Sequence, residues 1–358
     1  MRGMKQMKQR KLHYFKRILL VAAAFIGMIA INSESLTQAD SSYYTTNPGI
    51  IKTKQRVVYY QDATRKVKDK TVPANHYAKI TKVVVSAGQV PVLKTTTGRY
   101  LTASKAFVTK TAGYQNPKRY YQVQYQQIKP HGQVGYTVKR NFEGIKTWYI
   151  MRKMGTFAGY DKYNQATYNA VKRFQRRHHL KATGNVDEQT WVKMGFSKKA
   201  WTAIDSYVAP LGATASQGRS AHIEAMIHQA YRYLGNPYLV GSSSSPKYGT
   251  DCSGLVIQAL YAGGINPLPV SAIHHAYPGN EWNSRNLWAS KKFKHVAYSQ
   301  RQRGDLVFYY QPGTHTIWHV AIYLGRNRVI ESWPPKIMVQ PIRNSQRSNV
   351  AGIARPFV

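Results

Sequence analysis

The stretch Thr250-Asp251-Cys252-Ser253-Gly254-Leu255-Val256-Ile257-Gln258-Ala259-Leu260 runs from polar residues directly into an apolar, helical pattern. It puts Cys252 at or near a helix N-terminus. There the helix dipole, helped by a nearby imidazolium, lowers a thiol pKa from about 8.5 to roughly 3.5–7.5. Unpaired backbone N–H groups at that end also suit an oxyanion. An inert, buried cysteine is the alternative reading of the same string. Cys252 is the only cysteine among 358 residues, so no disulfide can form within the chain. A lipid-bearing cysteine has to sit at a signal cleavage site, far upstream of this one, which leaves catalysis or burial.

On the N-terminal side, His222-Ile223-Glu224-Ala225-Met226-Ile227-His228-Gln229-Ala230 has helical periodicity and stops near Leu234-Gly235-Asn236-Pro237. On the C-terminal side, Arg303–Tyr309 and His319–Gly325 read as two hydrophobic strands, expected to pair as a hairpin behind the helix. His319 opens the second strand, a place from which an imidazole deprotonates a thiol if a third polar group holds its ring. The next strand, Val329-Ile330-Glu331-Ser332, offers Glu331. A solvated glutamate at a strand end is the alternative for that residue.

Taken in order, Gly235-x-Pro237-Tyr238, Asp251-Cys252-Ser253-Gly254-Leu255-Val256, Gly304-Asp305-Leu306-Val307-Phe308 and His319-Val320-x-Ile322-Tyr323 resemble the NlpC/P60 domain over residues 222–358. The resemblance implies a papain-like α+β fold with Cys252 as nucleophile and His319 as base. The family's third polar residue, usually His, Asn or Gln, falls here on Glu331, a departure that still allows a hydrogen bond to the imidazole. Tyr238 matches the family tyrosine near the nucleophile. Asp251 and Ser253 match residues with which some members grip the free amino terminus of a stem peptide, and Asp251 serves equally well as a helix cap. The implied reaction cuts peptidoglycan stem peptides between γ-D-glutamyl and the following diamino acid, through a thioester. His315 and the pair His274-His275 read as surface or cleft residues, and neither a metal site nor a cofactor is expected.

Between Ile145 and Gly195 the period is helical. Thr167-x-x-Ala170-Val171-x-x-Phe174-Gln175, followed by Leu180-x-x-x-Gly184-x-Val186-Asp187-x-x-Thr190-Trp191, resembles the three-helix peptidoglycan-binding module of wall hydrolases. Phe174 and Trp191 are read as core residues of that module. From Gly49 to Val108 the pattern is that of short strands separated by turns. Its Tyr pairs, Lys-rich turns and closing Gly98-Arg99-Tyr100-Leu101-Thr102-Ala103-Ser104 resemble the wall-binding repeats of lactobacillal surface-layer proteins, which are similar to SH3-like barrels. A basic β spacer with no specific ligand is the alternative.

The first 17 residues carry seven Lys or Arg and no acid, and Ile18–Ile31 is an apolar run too short for the roughly 20 residues of a membrane-spanning helix. With small residues at Thr37-Gln38-Ala39, this is the layout of a secretory signal peptide cleaved after Ala39, leaving no stable membrane span. The expected organisation is therefore multidomain. A signal peptide (1–39) precedes a small all-β, SH3-like unit (40–111), a connector (112–144), a three-helix bundle (145–200), a linker (201–221) and the α+β papain-like domain (222–358).

Composition narrows the partners. The full chain has 52 basic and 14 acidic residues, a formal charge of +38. Removal of residues 1–39 takes away seven basic residues and Glu34, leaving +32. An exported protein of this charge meets peptidoglycan first, together with teichoic acid or other anionic wall polymers; nucleic acid is not expected. The expectation is a secreted, wall-associated thiol peptidase of a Gram-positive bacterium. A non-catalytic wall adhesin and a secreted polyanion binder are the alternatives.

Overall fold

A computed structural model describes residues 42–85, 90–129, 134–268, 283–342 and 349–358. The expected signal peptide and the pair His274-His275 lie outside the described residues. Among the described residues no helix is long and apolar enough to cross a membrane. The chain divides into two compact units, Met1–Gly113 and Tyr114–Val358.

The first unit is all-β. Its strands are β1 (Ile50–Thr53), β2 (Val57–Tyr60), β3 (Lys68–Val72), β4 (Tyr77–Val84), β5 (Val92–Thr95), β6 (Tyr100–Thr102) and β7 (Val108–Lys110). They form one antiparallel sheet in the order β3-β2-β6-β5-β4-β1-β7. Alternation along β1 and β2 turns Ile51, Val57 and Tyr59 into a core with Ile80, Leu93 and Leu101. The abundance of Lys and Tyr has a local cause. Lysine ammonium groups lie over tyrosine rings at Lys94–Tyr100 (5.4 Å), Lys105–Tyr44 (5.6 Å) and Lys52–Tyr77 (5.9 Å). The edge strand β3 exposes Lys68 and Lys70, which discourages edge-to-edge pairing.

The second unit begins with the stretch read as a connector, and it is packed rather than loose. Tyr114, Tyr120, Val123 and Ile128 are buried. Asn116 donates to Pro356 O (2.7 Å) and accepts from Val358 N (2.9 Å), while Gln124 N reaches Gly264 O (2.7 Å).

The helical module follows as α1 (Ile145–Met154), α2 (Gln165–Arg177), α3 (Glu188–Lys193) and α4 (Lys198–Ser206). Asn164 and Asp187 cap α2 and α3 through Thr167 N and Thr190 N. Gly184 takes φ +73°, and a Cβ there would sit 2.3 Å from the Tyr168 ring, so the turn before α3 requires glycine. Helix α4 is the difference from a three-helix bundle. It runs from the end of the expected module into the stretch read as linker (201–221), where Trp201 and Ile204 fill the module's core beside Ile150, Phe174 and Trp191. Its Asp205 holds the buried Lys146 ammonium at 2.5 Å, between the rings of Trp201 (4.0 Å) and Tyr136 (4.3 Å).

The last part contains α5 (Arg219–Tyr231), α6 (Cys252–Ala262), α7 (Ser284–Ala289) and an antiparallel sheet ordered β12-β11-β10-β9-β13-β8. Its strands are β8 (Lys294–Val296), β9 (Leu306–Tyr310), β10 (Ile317–Gly325), β11 (Arg328–Trp333), β12 (Lys336–Pro341) and β13 (Val350–Arg355). The expected hairpin is β9–β10, with His319 opposite Tyr309 and Ile322 opposite Leu306. Every residue of α6 is buried, because the helix packs against α5 on one side and β10 and β11 on the other.

Candidate active site

The nucleophile's position follows from the cap of α6. Asp251 Oδ1 accepts from Gly254 N at 2.7 Å and from Ser253 Oγ at 3.0 Å, and Oδ2 accepts from Gly241 N at 2.9 Å. Gly254 is required by closeness: a Cβ would lie 1.9 Å from the Ser242 carbonyl oxygen. Cys252 therefore becomes the first helical residue, with the loop of Gly241 and Ser242 pressed against its helix. Ser332 Oγ donates to Thr250 O at 2.5 Å and ties β11 to the segment that carries the cysteine.

Cys252 Sγ reaches the Trp318 carbonyl at 4.0 Å. Backbone N–H groups of Val320, Ser253 and Cys252 itself favour the sulfur's anion. The sulfur thus lies against the strand residues on either side of His319. Burial, with the Asp251 carboxylate adding to it, nevertheless pushes the thiol up to about 12. The resting group at neutral pH is therefore a thiol, unless a charged imidazole stands beside it.

His319 is fully buried, and its Nε2 lies 2.6 Å from Glu331 Oε2. Glu331 is itself buried, and its other oxygen accepts from the side-chain amide of Gln340. The carboxylate holds the ring proton on Nε2, which leaves Nδ1 as the basic nitrogen, and Nδ1 has no hydrogen-bond partner among the described residues. The rings of Trp333 (4.8 Å) and Tyr309 (5.3 Å) enclose the imidazole.

Cys252 opens onto a cleft of about 960 Å³. Tyr238 lines it, half-buried, with its hydroxyl pKa raised by burial and by the neighbouring Cys252 and Asp251. Asp251 and Ser253 are buried behind the nucleophile and bonded to each other, and they are not among the residues lining the cleft. His315 is exposed beside Tyr310 and is not among the residues lining the cleft. Sequence reasoning missed Gln340, Trp318 and Trp333, as well as a wall of the cleft built from Trp148, Arg152, Phe157, Tyr160 and Asp161 of the helical module. The only signal within reach was the Trp333-Pro334-Pro335 string just after Glu331; the register that brings Gln340 to Glu331 has no mark in the sequence.

Residues 235–353 match the NlpC/P60 family. The C-terminal region is an NlpC/P60 domain. Residues 154–194 match a peptidoglycan binding domain, and 43–108 match DUF5776, a domain of unknown function that assigns the first unit neither a barrel class nor a ligand. The chain is 28% identical over 182 residues to the peptidoglycan endopeptidase RipA of Mycobacterium tuberculosis, covering 46% of this chain and 34% of RipA. It is 27% identical over 139 residues to the gamma-D-glutamyl-L-lysine dipeptidyl-peptidase of Bacillus subtilis, covering 38% of this chain and 41% of that protein. The matches thus span less than half the length of these relatives. Among solved structures, the peptidoglycan hydrolase RipB of Mycobacterium tuberculosis is similar at 21% identity and a TM-score of 0.29, over 55% of this chain and 87% of RipB. The NlpC/P60 domain thus supplies Cys252, His319 and Glu331, and the peptidoglycan-binding module shares its cleft.

Proposed function

We propose that this protein is a secreted, wall-associated peptidoglycan hydrolase of a Gram-positive bacterium. It cuts stem peptides between γ-D-glutamyl and the diamino acid by thiolate catalysis. The observation that carries the reading is the placement of Cys252 Sγ against the strand on both sides of His319, whose ring is held 2.6 Å from Glu331. The Cys252 proton passes to His319 Nδ1 as the sulfur attacks the γ-glutamyl carbonyl carbon. Backbone N–H groups of Cys252 and Ser253 take up charge on the carbonyl oxygen. The C–N bond breaks, and the imidazolium gives its proton to the departing amine. Water, deprotonated by the same nitrogen, hydrolyses the thioester and restores the thiol. Glu331 stabilises the imidazolium, Tyr238 contacts the peptide, and Asp251, braced by Ser253, caps the helix that presents the nucleophile.

The peptidoglycan-binding module and the basic first unit hold the enzyme on its polymer, with teichoic acid as a further anionic partner. Mass spectrometry of products from purified muropeptides tests this reading. The expected products end in γ-D-glutamate on one side and begin with the diamino acid on the other. Intact muropeptides, or cleavage at another bond, contradict it.

A further inference from the structure

We propose that the helical module forms one wall of the catalytic cleft, and that Arg152 anchors a carboxylate of the peptide bound there. This rests on the peptidase reading for the identity of the peptide.

The seam between module and NlpC/P60 domain is built. Leu239 is a member of the module's hydrophobic core, and Tyr248 packs on it with its ring 6.0 Å from Tyr149, edge to face. Asp161, 4% exposed, accepts from Val240 N at 3.3 Å and from Gly144 N at 3.1 Å, joining the two across the mouth of the cleft. A module held this way is not a remote anchor; its α1 and the loop after it face the nucleophile.

On that wall the Arg152 guanidinium lies 4.9 Å over the Trp148 ring and 5.8 Å from the Phe157 ring. It makes no ion pair with a carboxylate among the described residues. Stacking fixes the plane of a guanidinium and leaves its donor edge free, the arrangement that takes a carboxylate through two parallel hydrogen bonds. The charged residues lining the cleft are Arg152, Arg285 and Asp161. Both oxygens of Asp161 are occupied by backbone N–H groups, so neither is left to pair with a guanidinium, and one carboxyl does not balance two arginines. The cleft favours an anionic ligand, and stem peptides carry several carboxylates.

The test uses the full chain with Cys252→Ala, so that bound peptide is not turned over. Fluorescence of the cleft tryptophans reads Kd for a synthetic stem peptide with all carboxylates free, and for a set with each carboxylate amidated in turn. Adding Arg152→Gln is expected to weaken the free peptide about tenfold, about 1.4 kcal/mol. One amidated peptide should bind both proteins alike. The exposed position of Arg152 predicts an unchanged melting temperature. An unchanged Kd for every peptide, an equal loss across the set, or no binding to the Cys252→Ala chain overturns the proposal. Failure of the wild type to cleave any of these peptides, with the Arg152 dependence intact, removes the peptidase reading and leaves the subsite standing.

Discussion

Glu331 Oε2 stands 2.6 Å from His319 Nε2, and both side chains are buried. A glutamine at 331 keeps an oxygen that accepts from the ring N–H but loses the charge that stabilises the imidazolium. Glu331→Gln is therefore expected to retain part of the activity and Glu331→Ala to lose more, within the roughly 10² to 10⁴ that acid–base assistance contributes. Gln340→Ala, which removes a donor from the other carboxylate oxygen, should cost less than either. Steady-state rates on a muropeptide decide; near-wild-type rates in both Glu331 variants place the third role elsewhere.

The thiol of Cys252 is pushed up to about 12 by burial and the Asp251 carboxylate. A raised thiol pKa means a protonated sulfur at neutral pH and a thiolate fraction that grows about tenfold per pH unit below that value. In His319→Ala, alkylation of Cys252 by iodoacetamide should accelerate in that proportion from pH 7 to 10. A rate already flat above pH 6 would indicate a thiolate formed without the imidazole.

Asp161 makes the seam pH-sensitive. Its carboxyl lies at about 7 in the folded protein, above the roughly 3.9 of an unfolded chain. Between those values the native state holds a proton that the unfolded state has lost, so stability falls as pH rises through the window. The thermal midpoint should decrease from pH 5 to pH 8, and Asp161→Asn should flatten the decrease. Retention of the full slope by the asparagine variant assigns it to another group.

Much of the site was legible before any fold was known, because its chemistry is local. A polar string before an apolar helix marks Cys252, and His319 and Glu331 sit on consecutive strand patterns. The residues that were not legible are set by register and packing. Gln340 meets Glu331 only because β11 and β12 pair, and Arg152 faces the cleft only because Leu239 and Tyr248 join the module's core. The linker reading stretched too far upstream because small and polar residues dominate near 209–218, whereas Trp201 and Ile204, just before, are core positions whose partners lie on α1 to α3. The stretch 114–125 reads as a connector because the partners of Tyr114, Tyr121 and Gln124, which are Val358, Lys292 and Gly264, are distant in sequence.

Attachment to the wall should be strongly electrostatic, since the formal charge is +32 once residues 1–39 are removed and exposed charges are screened over about 8 Å at physiological salt. Binding of the full Cys252→Ala chain to isolated walls is expected to weaken as salt rises and when teichoic acid is stripped. Retention that ignores both treatments would show that specific contacts dominate.

The most direct measurement is muropeptide cleavage by Cys252→Ala and His319→Ala beside the wild type, with wall binding followed in parallel. Replacing the sulfur with hydrogen removes the attacking atom and leaves the binding half untouched. The account predicts no products from Cys252→Ala, a rate at least 10² lower from His319→Ala, unchanged wall binding in both, and inhibition of the wild type by thiol alkylation. Undiminished cleavage by pure, folded Cys252→Ala protein would contradict the catalytic assignment and favour a wall-binding protein without peptidase activity.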